Sequence, residues 1–259
     1  MKIHPAVIAV WAAVVAAAHI IPSIPILGTG SNFSLASVLA PLSGIFFGPV
    51  AGAICSAAGG FIGSLVAPHT AWMGMGTFLI GMTTAFVSGC IAWGGWHIVS
   101  LNMRGGLTVN GGIIVYLIGT VLWFTQEAGR SIVLLPVILY GLGFTALITG
   151  SFFSAYAFSG KNFKWKLPAI WLCAFGGMIG GATVGNFFAL VFFELPPEVW
   201  AYLTVAAPIE RAVFSIGAVV IGAPLLAGLP KIGIFVGPRY EQEAAPEPLG
   251  EDGEQDETS

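Results

Sequence analysis

The polar side chains that could contact a ligand are few, and most lie in the segments that connect long apolar stretches. They are Asn32, His69, Trp72, Gln126, Glu127, Arg130, Glu210 and Arg211. An arginine close to carboxylates is typical of sites that bind an ionised or zwitterionic ligand. A tryptophan ring can stack on a planar molecule. These residue types therefore predict reversible binding of a small molecule.

Glu210 and Arg211 are the least ordinary members of this set, because they lie inside an apolar run. Neighbouring residues on a helix point apart, so we expect each to have its own partner. Glu127 and Arg130 are three positions apart and would share one face of a helix. Structural ion pairs remain the alternative for both sets, and an anchor at the membrane interface is the alternative for Trp72.

Motifs for catalysis and metal binding are absent from the sequence. It contains no GxxxxGK[ST] phosphate loop, no HExxH and no pair of histidines at the spacing of metal ligands. We therefore predict that the chain is not an enzyme, does not hydrolyse ATP by itself, and needs no cofactor or metal. Titratable residues are scarce in the middle of the apolar segments, which argues against a proton-coupled carrier. Cys55, Cys90 and Cys173 occur singly and are predicted to be small packing residues.

The composition assigns the chain to the membrane proteins. Hydrophobic residues make up 56% of its 259 residues and charged residues 8%, whereas soluble proteins are about 25% charged. Eight of the 12 acidic residues follow Arg239. We predict two parts: a transmembrane bundle over residues 1–230, and a cytoplasmic, acidic and disordered tail over 231–259.

Eight apolar segments follow one another, separated by Gly, Pro and polar residues. They cover residues 5–22, 34–48, 50–67, 75–99, 111–125, 131–158, 167–193 and 205–230. The predicted fold class is an all-α, polytopic helical bundle with about eight spans. The number falls to six if the short second and fifth segments do not cross fully.

The basic residues determine the predicted orientation. With the N-terminus inside and eight spans, seven of the nine Lys and Arg residues lie on the cytoplasmic side. Arg130 is left in an outer loop, and Arg211 lies within the last span near its outer end. The acidic residues Glu127, Glu194 and Glu198 then lie outside. We therefore predict that both termini are cytoplasmic, and that the protein resides in the plasma membrane of a prokaryote.

Small residues recur at four-residue spacing along several segments. In the first helix Ala9, Ala13 and Ala17 share one face, with Ala12 and Ala16 beside them. Such faces let helix backbones approach closely within lipid. The alanine face is predicted either to pack internally or to dock a second membrane subunit. Glycines repeat in the same way and predict helix packing at Gly44, Gly48, Gly52, Gly59, Gly63, Gly177, Gly181 and Gly185.

Several stretches resemble the substrate-binding S components of energy-coupling factor (ECF) vitamin transporters. The run Ser34–Leu42 into Gly44–Ala53 is similar to their second and third helices with the Gly-Pro elbow between them. Ala58–Leu65 resembles the small-residue helix that follows, and Trp72–Gly95 the fourth helix. Ile209–Leu226 is similar to their last helix. The alanine face of the first helix resembles the surface by which those proteins dock their membrane coupling subunit.

The resemblance implies a substrate-capture subunit of an ATP-driven importer of vitamins or other micronutrients. Such a subunit binds a small molecule at the outer face and associates with a membrane coupling (T) subunit and two separate ATPases, with no role for nucleic acid. Family members have six helices, so residues 111–158 would add two. A stand-alone secondary transporter or permease, and an assembly subunit of a membrane complex, are the alternatives.

Overall fold

The computed structural model describes residues 5–25, 32–94, 103–159, 162–193 and 195–238, and this part of the chain is almost entirely helical. The helices are α1 Pro5–Ala18, α2 Ala36–Phe47, α3 Pro49–Val66, α4 Phe78–Trp93, α5 Met103–Thr125, α6 Glu127–Ser131, α7 Leu134–Ser159, α8 Lys166–Phe192 and α9 Pro197–Gly228. Each of the eight predicted apolar segments is recovered as one helix, and the short α6 is added. The predicted all-α bundle is thus confirmed.

The helices divide into two length classes. Among the described residues, five helical stretches are long and apolar enough to cross a membrane. Three shorter apolar helices accompany them, at Pro5–Ala18, Ala36–Phe47 and Gly111–Thr125. The second and third of these are the segments that the sequence marked as short. The length and composition of the helices are those of a multi-pass membrane protein.

Six helices form a central bundle, and two pack on its side. Helix α4 is central, because it contacts α2, α3 and α8 extensively. Helix α1 packs on α3, and α9 packs on α8 and α2. Helices α5 and α7 contact each other and pack against α4 and α8, and α7 also reaches α9. We call α5 and α7 the added hairpin, since they correspond to the two extra helices predicted within residues 111–158.

The backbones of α2, α3 and α4 touch at a cluster of glycines. Gly48 connects α2 to α3 with φ at +86°, a conformation that favours glycine, and Pro49 opens α3. A β-carbon at Gly44 would overlap the carbonyl oxygen of Ala85 in α4. One at Gly52 would lie 2.5 Å from the carbonyl oxygen of Ser43. The predicted packing role of these glycines therefore has a structural basis in direct backbone contact.

A short antiparallel strand pair closes one end of the bundle. Strand β1, Pro22–Pro25, pairs with β2, Asn32–Ser34, with Pro22 opposite Ser34. These strands were not predicted from the sequence, because each is only three or four residues long and the segment is rich in Pro and Gly. The residues between the strands lie outside the described part of the chain.

The first residues of the predicted tail pack back on the bundle. The backbone N–H of Gly237 donates to the carbonyl oxygen of Phe46 in α2 at 2.9 Å, and Pro238 is buried. The tail from residue 239 onward, with all eight of its acidic residues, lies outside the described residues. Its disorder and its cytoplasmic location stay predictions.

The glycine contacts among α2, α3 and α4 lead to a prediction about stability. In Gly44→Ala the new methyl group meets backbone atoms of α4 that have no room to move, so the free energy of unfolding should fall by about 1–3 kcal/mol. Gly141→Ala in α7 is the matched control, because nothing lies within 4 Å of the added carbon. The measurement is thermal unfolding of the purified chain in detergent. Equal stability of the two variants would contradict the close approach of α2 and α4.

Candidate functional site

A cavity of about 90 Å³ lies among α1, α2, α3, α4, α8 and α9, beside the strand pair. This is the predicted outer end of the bundle. We call it the hydroxyl cavity because Ser and Thr side chains dominate its polar lining. The polar lining residues are His19, Ser34, Ser37, Ser56, Thr70, Thr77, Thr84 and Arg211. The aromatic lining residues are Phe33, Trp72, Phe78 and Phe214.

Ser56 in α3 is the most unusual residue of the hydroxyl cavity. Its side chain is 1% exposed, and its hydroxyl is the one buried side-chain polar atom without a hydrogen-bond partner among the described residues. By contrast, Ser64 of the same helix donates to the carbonyl oxygen of Gly60 at 2.8 Å. A buried hydroxyl without a partner costs about 1–3 kcal/mol. Gly81 of α4 lies close to the Ser56 oxygen, because a β-carbon at Gly81 would be 3.1 Å from it. Ser56 lines the cavity, so its hydroxyl is placed to bond a ligand hydroxyl or carbonyl there.

His19 ties three segments together at the mouth of the hydroxyl cavity. Its ring nitrogen Nδ1 lies 3.4 Å from the hydroxyl of Thr70 and 3.3 Å from that of Ser34. The Thr70 hydroxyl also donates to the carbonyl oxygen of Ala67 at 2.9 Å. The end of α1, strand β2 and the turn after α3 are thereby held in fixed positions around the cavity.

Arg211 and Glu210 pair with each other, so the expectation that each needs its own partner was wrong. Nη1 of Arg211 lies 3.1 Å from Oε2 of Glu210, and the side chains are only 15% and 19% exposed. Their Cα–Cβ bonds diverge, but both side chains are long enough to bend together, and an unpaired charge in these surroundings would be costly. The Arg211 guanidinium also lies 5.0 Å from the centre of the Phe33 ring, in a cation–π contact.

A second cavity of about 710 Å³ adjoins the first, between α7, α8 and α9. We call it the apolar cavity. Its lining includes Pro25, Leu135, Leu139, Gly185, Asn186, Ala189, Leu195, Trp200, Tyr202, Leu203, Val205, Ala206, Ala207, Ile209, Glu210 and Val213. Five further residues line both cavities and form the wall that they share: Phe33, Trp72, Ile80, Ala182 and Arg211.

The structure brings three of the eight predicted ligand residues to these cavities. Trp72 and Arg211 line both, and Glu210 lines the apolar cavity. Five others line neither of the two cavities, and their contact with a ligand stays a prediction: Asn32, His69, Gln126, Glu127 and Arg130. No ion pair joins Glu127 to Arg130 within the described residues; Arg130 donates to the carbonyl oxygen of Thr125 at 3.4 Å.

The hydroxyls and aromatic rings that line the cavities from within helices were not predicted from the sequence as ligand-binding residues. Ser56, Thr84 and Phe214 lie in apolar segments, where a lone hydroxyl or ring is indistinguishable from ordinary core. Only the side-by-side packing of six helices places them around one space. In the described part of the chain no cluster of three His, Cys, Asp or Glu residues is able to hold a metal ion.

The ion pair leads to a second prediction. In Arg211→Ala the Glu210 carboxylate loses its partner in a largely dry site, so the free energy of unfolding should fall by about 2 kcal/mol or more. The double variant Glu210→Gln with Arg211→Gln removes both charges and should recover most of that loss. Thermal unfolding in detergent measures both. If the single and double variants are equally stable, the two charges are not coupled.

Comparison with known proteins assigns the chain to a family. The family model described as "ECF-type riboflavin transporter, S component" matches residues 3–139, which is more than half of the chain and runs from α1 into α7. No curated protein and no solved structure matches. The matched region contains the Gly48-Pro49 elbow, the alanine face of α1 and most of the hydroxyl cavity lining. The chain belongs to the S components of ECF-type riboflavin transporters, the substrate-binding membrane subunits of those importers.

Proposed function

We propose that this chain captures riboflavin, or a close relative of it, at the outer face of a prokaryotic plasma membrane. It would then deliver the vitamin inward as part of an ATP-driven importer. Hydrolysis of ATP would be performed by two separate ATPases, and this chain itself would catalyse no reaction. The family match supports the class of transporter. The choice of riboflavin rests on the description of the matched family, and the hydroxyl cavity, with the unsatisfied Ser56 hydroxyl, is the observation at the site that supports a hydroxylated ligand.

The chemistry of the site suits an uncharged, aromatic and hydroxylated molecule. Riboflavin combines a planar isoalloxazine ring with a ribityl chain rich in hydroxyl groups and is neutral at pH 7. The cavity walls offer serine and threonine hydroxyls beside aromatic rings. The one positive side chain, Arg211, is already neutralised by Glu210. A free anion would have to compete with that carboxylate, whereas a neutral ligand need only hydrogen-bond to the pair.

The first test is ligand binding to the purified full-length chain, in the absence of any ATPase. Riboflavin at 100 times its dissociation constant should stabilise the folded protein by about 2.7 kcal/mol, because it binds the folded state alone. The measurement is a thermal-shift screen of riboflavin against other vitamins, their precursors, nucleobases and metal ions. Folded protein that responds to another member of the panel and not to flavins would contradict the proposed ligand.

We further propose that α1 docks the membrane coupling subunit through Ala9, Ala13 and Ala17. These residues are exposed, and they form a flat strip of methyl groups on the surface of the bundle. Ala16 is buried and Ala12 is half-buried, with the Ala12 carbonyl oxygen close to Gly59 of α3. Of the two alanine sets, the first therefore remains free for a partner, while the second packs inside the bundle.

A bulky side chain at the centre of this strip tests the docking surface. Ala13→Trp should abolish ATP-dependent riboflavin uptake in cells that contain the coupling subunit and the ATPases, because the partner helix no longer fits closely. Riboflavin affinity of the purified variant should be unchanged, since Ala13 lines neither cavity. Val121→Trp on α5, where the native side chain is 63% exposed, is the control and should transport normally. Uptake by Ala13→Trp at the wild-type rate would mean that the docking surface lies elsewhere.

A further inference from the structure

We propose that the apolar cavity is the second compartment of a single bipartite ligand site, walled in part by the added hairpin. The hydroxyl cavity would hold the hydroxylated chain of the ligand, and the apolar cavity its planar ring system. This inference rests on the proposed function, because it assumes a ligand that has both parts. It gives α7, one of the two helices beyond the six of the central bundle, a direct role in binding.

The sizes of the two cavities require such a division. Ligand pockets in proteins measure about 300–1,000 Å³. The hydroxyl cavity, at about 90 Å³, has room for only one part of a vitamin-sized molecule. The apolar cavity, at about 710 Å³, falls within the usual range. The two spaces meet at side chains that line both, among them Phe33, Trp72 and Arg211, so a ligand that fills both would pass beside these side chains.

The lining of the apolar cavity fits a planar ring with a polar edge. Most of the lining atoms are apolar, and Trp72 on the shared wall supplies an aromatic ring, whereas Trp200 is 1% exposed and offers the cavity almost no surface. Outside the shared wall, the polar lining residues include Glu210, Tyr202 and Asn186 of α8. The amide nitrogen of Asn186 donates to the hydroxyl of Tyr140 at 3.4 Å, while its amide oxygen has no partner among the described residues. That oxygen is placed to accept from the imide N–H of an isoalloxazine ring.

Arg211 lies where the two parts of the ligand would meet. Its side chain belongs to the wall shared by both cavities, and it is held there by Glu210 and by the Phe33 ring. A guanidinium has more N–H donors than one carboxylate can accept. The remaining donors are available to ligand oxygens at the boundary between the ring and the chain.

The added hairpin supplies both wall and support. Leu135 and Leu139 of α7 line the apolar cavity and are each 1% exposed. Tyr140 of the same helix orients Asn186 through the hydrogen bond described above. Helix α7 thereby forms one side of the apolar cavity, which stays open along α9, where Val205 and Ile209 are more than 60% exposed.

The test compares riboflavin with lumichrome, which has a similar fused ring and lacks the ribityl chain. Affinities are measured by fluorescence titration of purified full-length variants. Ala206→Trp fills the apolar cavity and should weaken both ligands at least about tenfold. Ala201→Trp, at an exposed position of the same helix that lines neither cavity, is the matched control. It should change neither affinity by more than about twofold, since surface substitutions have small effects.

Two polar variants separate the compartments. Asn186→Ala should weaken both ligands about fivefold, the value of one hydrogen bond. Ser56→Ala should weaken riboflavin about fivefold and leave lumichrome unchanged. Ser64→Ala removes a serine hydroxyl of α3 outside the cavity lining and is the control for it.

The outcomes distinguish this inference from the proposed function. If wild-type protein binds riboflavin and Ala206→Trp binds it equally well, the apolar cavity is not part of the site, although riboflavin capture stands. If Ser56→Ala loses lumichrome binding, the ring system and not the hydroxylated chain contacts the hydroxyl cavity. That result would overturn the assignment of the two compartments. If the wild-type protein binds neither flavin, the proposed ligand fails and the bipartite site fails with it.

Discussion

Backbone contact between helices is the constraint on which this structure depends. Lipid chains are as apolar as leucine, so burial of apolar side chains gives helices in a bilayer little reason to associate. Close packing has to supply the attraction instead, and glycine permits the closest packing. Gly44, Gly52 and Gly89 bring α2, α3 and α4 together until carbonyl oxygens and amide nitrogens lie against α-carbons. Helix α4 then holds α8, and the hydroxyl cavity forms where these helices separate.

A second constraint acts on the polar side chains inside the bundle, which need hydrogen-bond partners. Ser43, Thr83 and Ser151 each donate to the carbonyl oxygen four residues earlier in their own helix. Because each hydroxyl donates within its own helix, it needs no acceptor on a neighbouring helix and can pack there as a small residue. Ser56 departs from this pattern in a position that faces a cavity. Among the described residues Ser56 is thus the one buried side-chain hydroxyl without an internal partner, and this supports its proposed contact with a ligand.

Much of the fold was predictable, because its causes are local in the sequence. The lengths of the apolar segments, and the Gly and Pro residues between them, predicted eight helices that the structure contains. The Gly48-Pro49 elbow was correctly identified as the junction of α2 and α3. The site was less predictable. Loop residues such as His69 were favoured because polar side chains in loops are visible in a sequence, whereas the lining of the hydroxyl cavity comes mainly from helix interiors. The pairing of Glu210 with Arg211 was missed because side-chain length outweighed the divergence of adjacent positions on a helix.

The neutrality of the site agrees with the proposed function. If the subunit carries its ligand inward, as proposed, the site would come into contact with the hydrocarbon region. A net charge there would cost several kcal/mol. The Glu210–Arg211 pair keeps hydrogen-bonding capacity at the junction of the two cavities while its net charge is zero. Serine and threonine hydroxyls provide the remaining polarity without any charge. A neutral, hydroxylated ligand adds none, so the loaded site can move through an apolar environment at the same electrostatic cost as the empty one.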